Sequence, residues 1–193
     1  MDIRIKKDKT VIAALSQHFY HLHELAMYYI YLSQQARQMG MLNLANYIYE
    51  LAHDKDDVHV KLIYGFLDKI DTLPNAGCKK EELMELKNFD TPLEIVQEML
   101  RCEQDDRERV DKIADLLFNI KDHETYSFWK WFVDDALKDL SETRDIEDGF
   151  RLSQNSLITA DNRVLWLQRH IWKNDAKLEE DDGKSDYNDD DDD

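Results

Sequence analysis

The sequence predicts an all-α fold: a four-helix bundle with one long crossover, followed by a short fifth helix and a disordered acidic tail. Three observations lead there. Among 193 residues there are only 5 glycines and 2 prolines, while Leu, Ala, Glu, Lys, Gln and Met are common, which favours long helices over strands and turns. Four long segments carry apolar residues at helical spacing. The links between them run short, long, short.

The first helix is expected over 11–38, ended by the Gly40 region. The second is expected over 42–70 and stops before the breaker cluster Thr72-Leu73-Pro74-Asn75-Ala76-Gly77. The third opens at Asp90-Thr91-Pro92-Leu93-Glu94, which offers an N-cap and a proline in the first turn, and ends near Asn119. The fourth follows the Lys121-Asp122 link and runs to about Leu152. An amphipathic piece over 161–173 carries Val164, Leu165, Leu167 and Ile171 with Trp166 and Trp172, whose size favours burial. The two short links make each pair of helices antiparallel neighbours. The long one, 71–91, is able to cross the bundle along its side. Residues 1–10 then form an N-terminal arm, 11–152 the bundle, 153–175 a linker with the short helix, and 176–193 the tail.

Charge is unevenly placed. The net charge is −17, and residues 178–193 hold ten acids against Lys184 alone, so that stretch carries −9 and the rest −8. Such a composition buries too little apolar surface to fold. It is either a solubility tail or a cation-gathering brush of carboxylates. The acidity argues against nucleic-acid binding, which needs a basic footprint. Cys78 and Cys102 form no spaced motif and no disulfide framework. The N-terminus leads into no apolar signal region, and the most apolar stretch, 25–32, is too short to span a bilayer. A soluble cytoplasmic protein without membrane contact is expected.

Ionisable residues interrupt the apolar stripes. In the third helix Val96, Val110 and Leu117 fall on one line whose missing member is Glu103, and Arg107 also breaks the stripe. In the fourth, Asp135 and Asp139 sit among Phe128, Phe132 and Ile146. In the second, Asp56 and His59 sit among Ile48, Ala52, Ile63 and Phe66. In the first, Glu24 lies in an apolar run with Tyr31 two turns further along the same face. Buried carboxylates without basic partners require protons or cations, and oxygen with imidazole ligation suits iron. One bundle solution combines a single Glu from each of two helices with Glu-x-x-His from the others. Glu24 and Glu103 fit the single acids, and Asp56-Asp57-Val58-His59 is an Asp version of the pair. The fourth helix offers only Asp139. His18 and His21 share a face with Glu24, either extending a metal path or as polar residues on an exposed or subunit-facing stripe, and His53 has the same two readings.

At these residues the sequence resembles the non-haem bacterial ferritins. The segment from Glu24 to Ser33 resembles their first-helix iron-ligand Glu with a Tyr two turns later. Phe89-Asp90-Thr91-Pro92-Leu93-Glu94 is similar to their lead-in to the third helix, with matching spacing to Glu103. Asp122, Thr125-Tyr126, Phe128 and Trp131-Phe132-Val133 resemble the start of their fourth helix. The resemblance spans about 11–152 and makes the bundle ferritin-like.

The resemblance implies a 24-subunit hollow cage, a homo-oligomer that oxidises Fe(II) with oxygen and stores ferric iron. It implies Glu24, Glu103 and Asp139 as iron ligands and Tyr31 as the redox-active tyrosine. The departures fall on the chemistry. Asp56-x-x-His59 matches the second-helix ligand pair if the preceding loop is one residue shorter; with two missing, Lys55 and Val58 take those places. The first register matches Ile63, Tyr64, Phe66 and Leu67 better and is preferred. Ala136 stands where the family usually holds Gln or Glu, so ferroxidase activity at a di-iron site is expected to be weakened. The alternative is a cage subunit with a degenerate oxidation site and a structural or cargo-binding role.

Overall fold

The computed structural model describes residues 7–74, 85–153 and 156–172, the last two without their side chains. The N-terminal arm up to residue 6, the Asn75–Gly77 part of the breaker cluster and the acidic tail lie outside the described residues. Those described form helices α1 (Lys9–Gln38), α2 (Leu42–His53), α3 (Lys61–Lys69), α4 (Pro92–Asn119), α5 (His123–Leu152) and α6 (Leu157–Leu167). A π-helical segment, Asp54–Val60, joins α2 to α3, and another, Gln168–Trp172, extends α6. The expected second helix is thus present but wider-wound in its middle.

Local chemistry sets the ends. The Asp8 carboxylate accepts from Thr10 N at the start of α1. At its end Gly40 takes φ +80, and Met41 N and Gly40 N donate to the carbonyls of Ala36 and Arg37, closing a left-handed cap that favours glycine. Thr91 and Glu94 cap α4 reciprocally, with Pro92 in the first turn. The Asp122 carboxylate caps α5 through Thr125 N. Asp161 of α6 accepts from both Asn43 N and Leu44 N, pinning α6 to the first turn of α2.

α1 pairs with α2, α4 with α5, and α1 with α4. The core divides into two apolar layers. One holds Tyr29, Leu32, Leu44, Ile48, Val96, Met99, Ile146 and Phe150, with Ala160, Val164 and Leu167 of α6 packed on it. The other holds Leu15, Leu22, Ile63, Leu67, Val110, Leu117, Trp129 and Phe132. Polar residues are buried where the two layers meet, Lys55 and His59 on the π segment, Glu103 and Asp106 on α4, Asp139 and Thr143 on α5, and His18 and His21 of α1 adjoin them from within the second layer. A polar belt therefore crosses the bundle at mid-height. The fifth helical piece starts earlier than expected, and Trp166 is not buried: it is 48% exposed and stacks on His170.

Candidate metal centre

Lys55 occupies the centre of the polar belt. Its side chain is fully buried, and Nζ lies 2.7 Å from Asp139 Oδ2, 3.3 Å from Glu103 Oε2 and 3.4 Å from Asp106 Oδ2. The Tyr29 hydroxyl donates to the other oxygen of Glu103. Burial opposes the Lys55 charge, but Asp139, Glu103 and Asp106 overcome it and hold the group well above its usual pKa. The acids respond unequally. Burial pushes Glu103 up to about 7 against the pull of Lys55, and burial raises Asp139 as well. At Asp106 burial is outweighed by Lys55, His21 and His18, and the carboxyl stays far below its usual range. Burial drives His18 down to about 3, so its imidazole is neutral.

The π segment explains how Lys55 arrives there. Its i→i+5 bonding puts one more residue in the turn than an α-helix would. Positions four apart then share a face better than positions three apart, so Lys55 and His59 both turn inward. Asp56 turns out: its carboxylate, half exposed, meets His23 Nδ1 at 2.5 Å. His59 Nε2 lies 2.9 Å from Asp135 Oδ2 and 3.0 Å from Asp54 Oδ2. Burial opposes its charge, but those two carboxylates lift it to about 9.

Of the residues expected to hold metal, the fold brings Glu103 and Asp139 together around Lys55, and His59 next to them. Glu24 and Asp56 are not brought in. Glu24 and Tyr31 do share a face, as their spacing required, but it is the outer face of α1: both line a groove with His23, Met27, Tyr28 and Leu86. Tyr31 donates to Asn88 there at 2.9 Å. The tyrosine that reaches Glu103 is Tyr29, two residues earlier and on the opposite side of the helix. Lys55 belongs to the register that was not preferred, but its partner there, Val58, is exposed while His59 points inward; the side chains of the centre that the expectations omitted are Asp106 and Tyr29. A signal for Lys55 was present, since Ile48, Ala52, Lys55, His59 and Ile63 step by three or four along one face.

A pair of metal ions does not fit this donor set. A divalent ion held by Glu103 and Asp139 would meet the Lys55 ammonium within a few ångströms. Each unit pair of like charges costs about 4 kcal/mol at 4 Å in a protein-like dielectric. Lys55 supplies the positive charge these carboxylates need. Nearer the surface, however, Asp54, His59, Asp135 and Asp139 place donor atoms all within 4.8 Å of one another, a group able to hold one ion. A cavity of about 610 Å³ lined by Tyr47, Glu50, Asp54, Asp135, Asp139 and Glu142 opens onto it.

Comparison with known proteins agrees with this architecture. The family model for the Ferritin-like domain matches residues 12–152. An uncharacterized protein of Ureaplasma urealyticum is 35% identical over 136 residues, 70% of this chain and 74% of that one. Another, from Ureaplasma parvum, is 32% identical over 152 residues, covering 78% and 88%. Among solved structures, a ferritin of M. penetrans superposes with a TM-score of 0.75 at 26% identity, covering 82% of this chain and 96% of that one. An open-pore ferritin of Archaeoglobus fulgidus shares the fold, with a TM-score of 0.73 at 17% identity and coverage of 82% and 98%. With its helix order, its capped bundle and its mid-height belt of acids, the chain belongs to the ferritin-like domain family.

Proposed function

We propose that this chain is the subunit of a ferritin-like oligomeric shell in which an internal ion network has replaced the central oxidation site. Such a subunit serves to build the shell and to bind Fe(II) at its edge rather than to oxidise it rapidly. The observation that carries this reading is the buried Lys55 ammonium within 3.4 Å of three carboxylates. Association is supported by exposed apolar side chains along α2, the π segment and α3: Tyr49, Val58, Leu62 and Tyr64. Exposed apolar groups of this kind suit packing on a second copy. Among the described residues no helix is long and apolar enough to cross a membrane; a cytoplasmic location fits the family.

A second reading keeps iron oxidation and ferric storage, with iron and oxygen as partners. It is favoured by the Asp54, His59, Asp135 and Asp139 group, which offers Fe(II) a landing place beside the belt. Light scattering after size exclusion, with iron content per chain after aerobic loading, separates the readings. A particle of many 23.0 kDa chains holding little iron supports the first. A large ferric core that depends on Glu103 supports the second, and a monomer removes the shell.

A further inference from the structure

On the α1–α4 side of the belt, three buried side chains converge at ion-pair distance. His18 and His21 stand one turn apart on α1, and Asp106 faces them from α4; none is more than 3% exposed. Both ring nitrogens of His18, Nε2 of His21 and Oδ1 of Asp106 are buried without a hydrogen-bond partner. Orphaned buried polar atoms are costly and few in native proteins, and an ion is one of the standard reasons for them.

We propose that His18, His21 and Asp106 form a binding site for one divalent transition-metal ion of the zinc or ferrous class, separate from the carboxylates that Lys55 fills. The proposal stands whether or not the chain handles iron. Asp106 Oδ1 is 3.4 Å from His21 Nε2 and 3.9 Å from His18 Nδ1. Tetrahedral donors on bonds of about 2.0–2.1 Å stand about 3.4 Å apart, so His21 and Asp106 already stand at ligand spacing and His18 has to close in on them. The two imidazole rings lie side by side with centroids 6.0 Å apart.

The chemistry of the donors narrows the ion. Two imidazoles and one carboxylate suit zinc or ferrous iron; calcium and magnesium prefer oxygen alone. Trp129 and Phe132 pack edge-on to His18, at 5.2 and 6.1 Å, fixing the ring and keeping it dry. That burial holds His18 neutral, the form that ligates. Asp106 Oδ2 is already oriented by Lys55, leaving Oδ1 for the ion. A cavity of about 300 Å³, lined by Ala14, Gln17, Asp105 and Arg109, reaches His18 from outside.

The test is titration of the full chain with Co(II) and Zn(II) in the absence of oxygen. The site predicts the visible absorption of four-coordinate Co(II) at the first equivalent. Zinc-edge X-ray absorption on the wild-type protein at one equivalent should count two imidazoles per zinc. His18→Asn and Asp106→Asn should each weaken Zn(II) binding at least tenfold, with far-UV circular dichroism confirming that they fold. Asp135→Asn, at the neighbouring group, should leave the first equivalent within twofold. The absorption count needs no variant and decides the matter if a buried substitution fails to fold. One imidazole or none per zinc, no Zn(II) bound, or binding lost in Asp135→Asn and kept in folded His18→Asn would overturn the site.

Discussion

Lys55 Nζ lies 2.7 Å from Asp139 Oδ2 at the centre of the bundle, where the lysine has no exposed surface and the acid almost none. Ion pairs this deep seldom add stability over a well-packed apolar pair, but breaking one is expensive because the remaining charges are left without a partner. The pair therefore makes the belt depend on one residue, and it commits the carboxylates to an internal cation.

Replacing that cation with a neutral side chain exposes the dependence. Lys55→Met should cost about 3–5 kcal/mol at pH 7 in urea unfolding. The loss should be smaller at pH 5, where the stranded carboxyls take up protons. The double variant Lys55→Met/Asp139→Asn should recover part of it, since one orphaned charge is then gone.

His59 gives the belt a pH dependence at the alkaline side. Its pKa rises from 6.5 unfolded to about 9 folded, burial opposing and Asp135 and Asp54 prevailing. A raised cation contributes in full below the unfolded value and is lost as pH climbs through the folded one. Wild-type stability should therefore fall between pH 6.5 and 9 by more than that of His59→Gln. The difference should be at most ~3 kcal/mol, given 1.36 kcal/mol per unit. Parallel curves for the two proteins would mean that His59 is not held charged.

Glu142 acts in the opposite sense. Burial first, then Asp139, pushes it up to about 7. A raised acid costs the fold stability as pH climbs from the unfolded value of 4.5 to the folded one, and the full cost is present above pH 7. Glu142→Gln should gain about 1 kcal/mol at pH 8, after allowance for partial exposure, and close to nothing at pH 5. Denaturation midpoints at the two pH values check this.

Asp161 ties α6 to the bundle through Asn43 N at 3.1 Å and Leu44 N at 2.9 Å. Asp161→Ala leaves the first turn of α2 without its acceptor and should cost about 0.5–2 kcal/mol. Amide exchange should quicken in α6 and at residues 43–44, with α4 and α5 unchanged.

The fold was legible because its determinants are local. The Thr91-Pro92-Glu94 cap, Gly40 and the apolar spacing of four helices act over a few residues each, and the observed helices begin and end within a few positions of where these signals put them. The centre was only partly legible. Glu103 and Asp139 interrupt stripes unmistakably. On α1, however, the run around Glu24 is apolar on more than one side, and the tertiary fold chose the face with His18, Leu22, Leu25 and Tyr29 as the inner one. The π segment is the other obstacle. Counting by 3.6 residues admits both Asp56 and Lys55 beside His59, the wider turn selects Lys55, and nothing in the order Asp54-Lys55-Asp56-Asp57 announces the change of winding. Trp166 shows the same limit on α6: size alone does not bury a residue that has no facing layer.

The most direct test of the central claim, that Lys55 fills the place of the metals, is single-turnover oxidation of Fe(II). Fe(II) is loaded anaerobically into wild type and Glu103→Ala, each confirmed folded, and oxygen is pulsed in while the oxidation rate is followed. The two initial rates should be equal within twofold, because Glu103 already faces the Lys55 ammonium. A wild-type rate at least tenfold above that of Glu103→Ala would contradict the account.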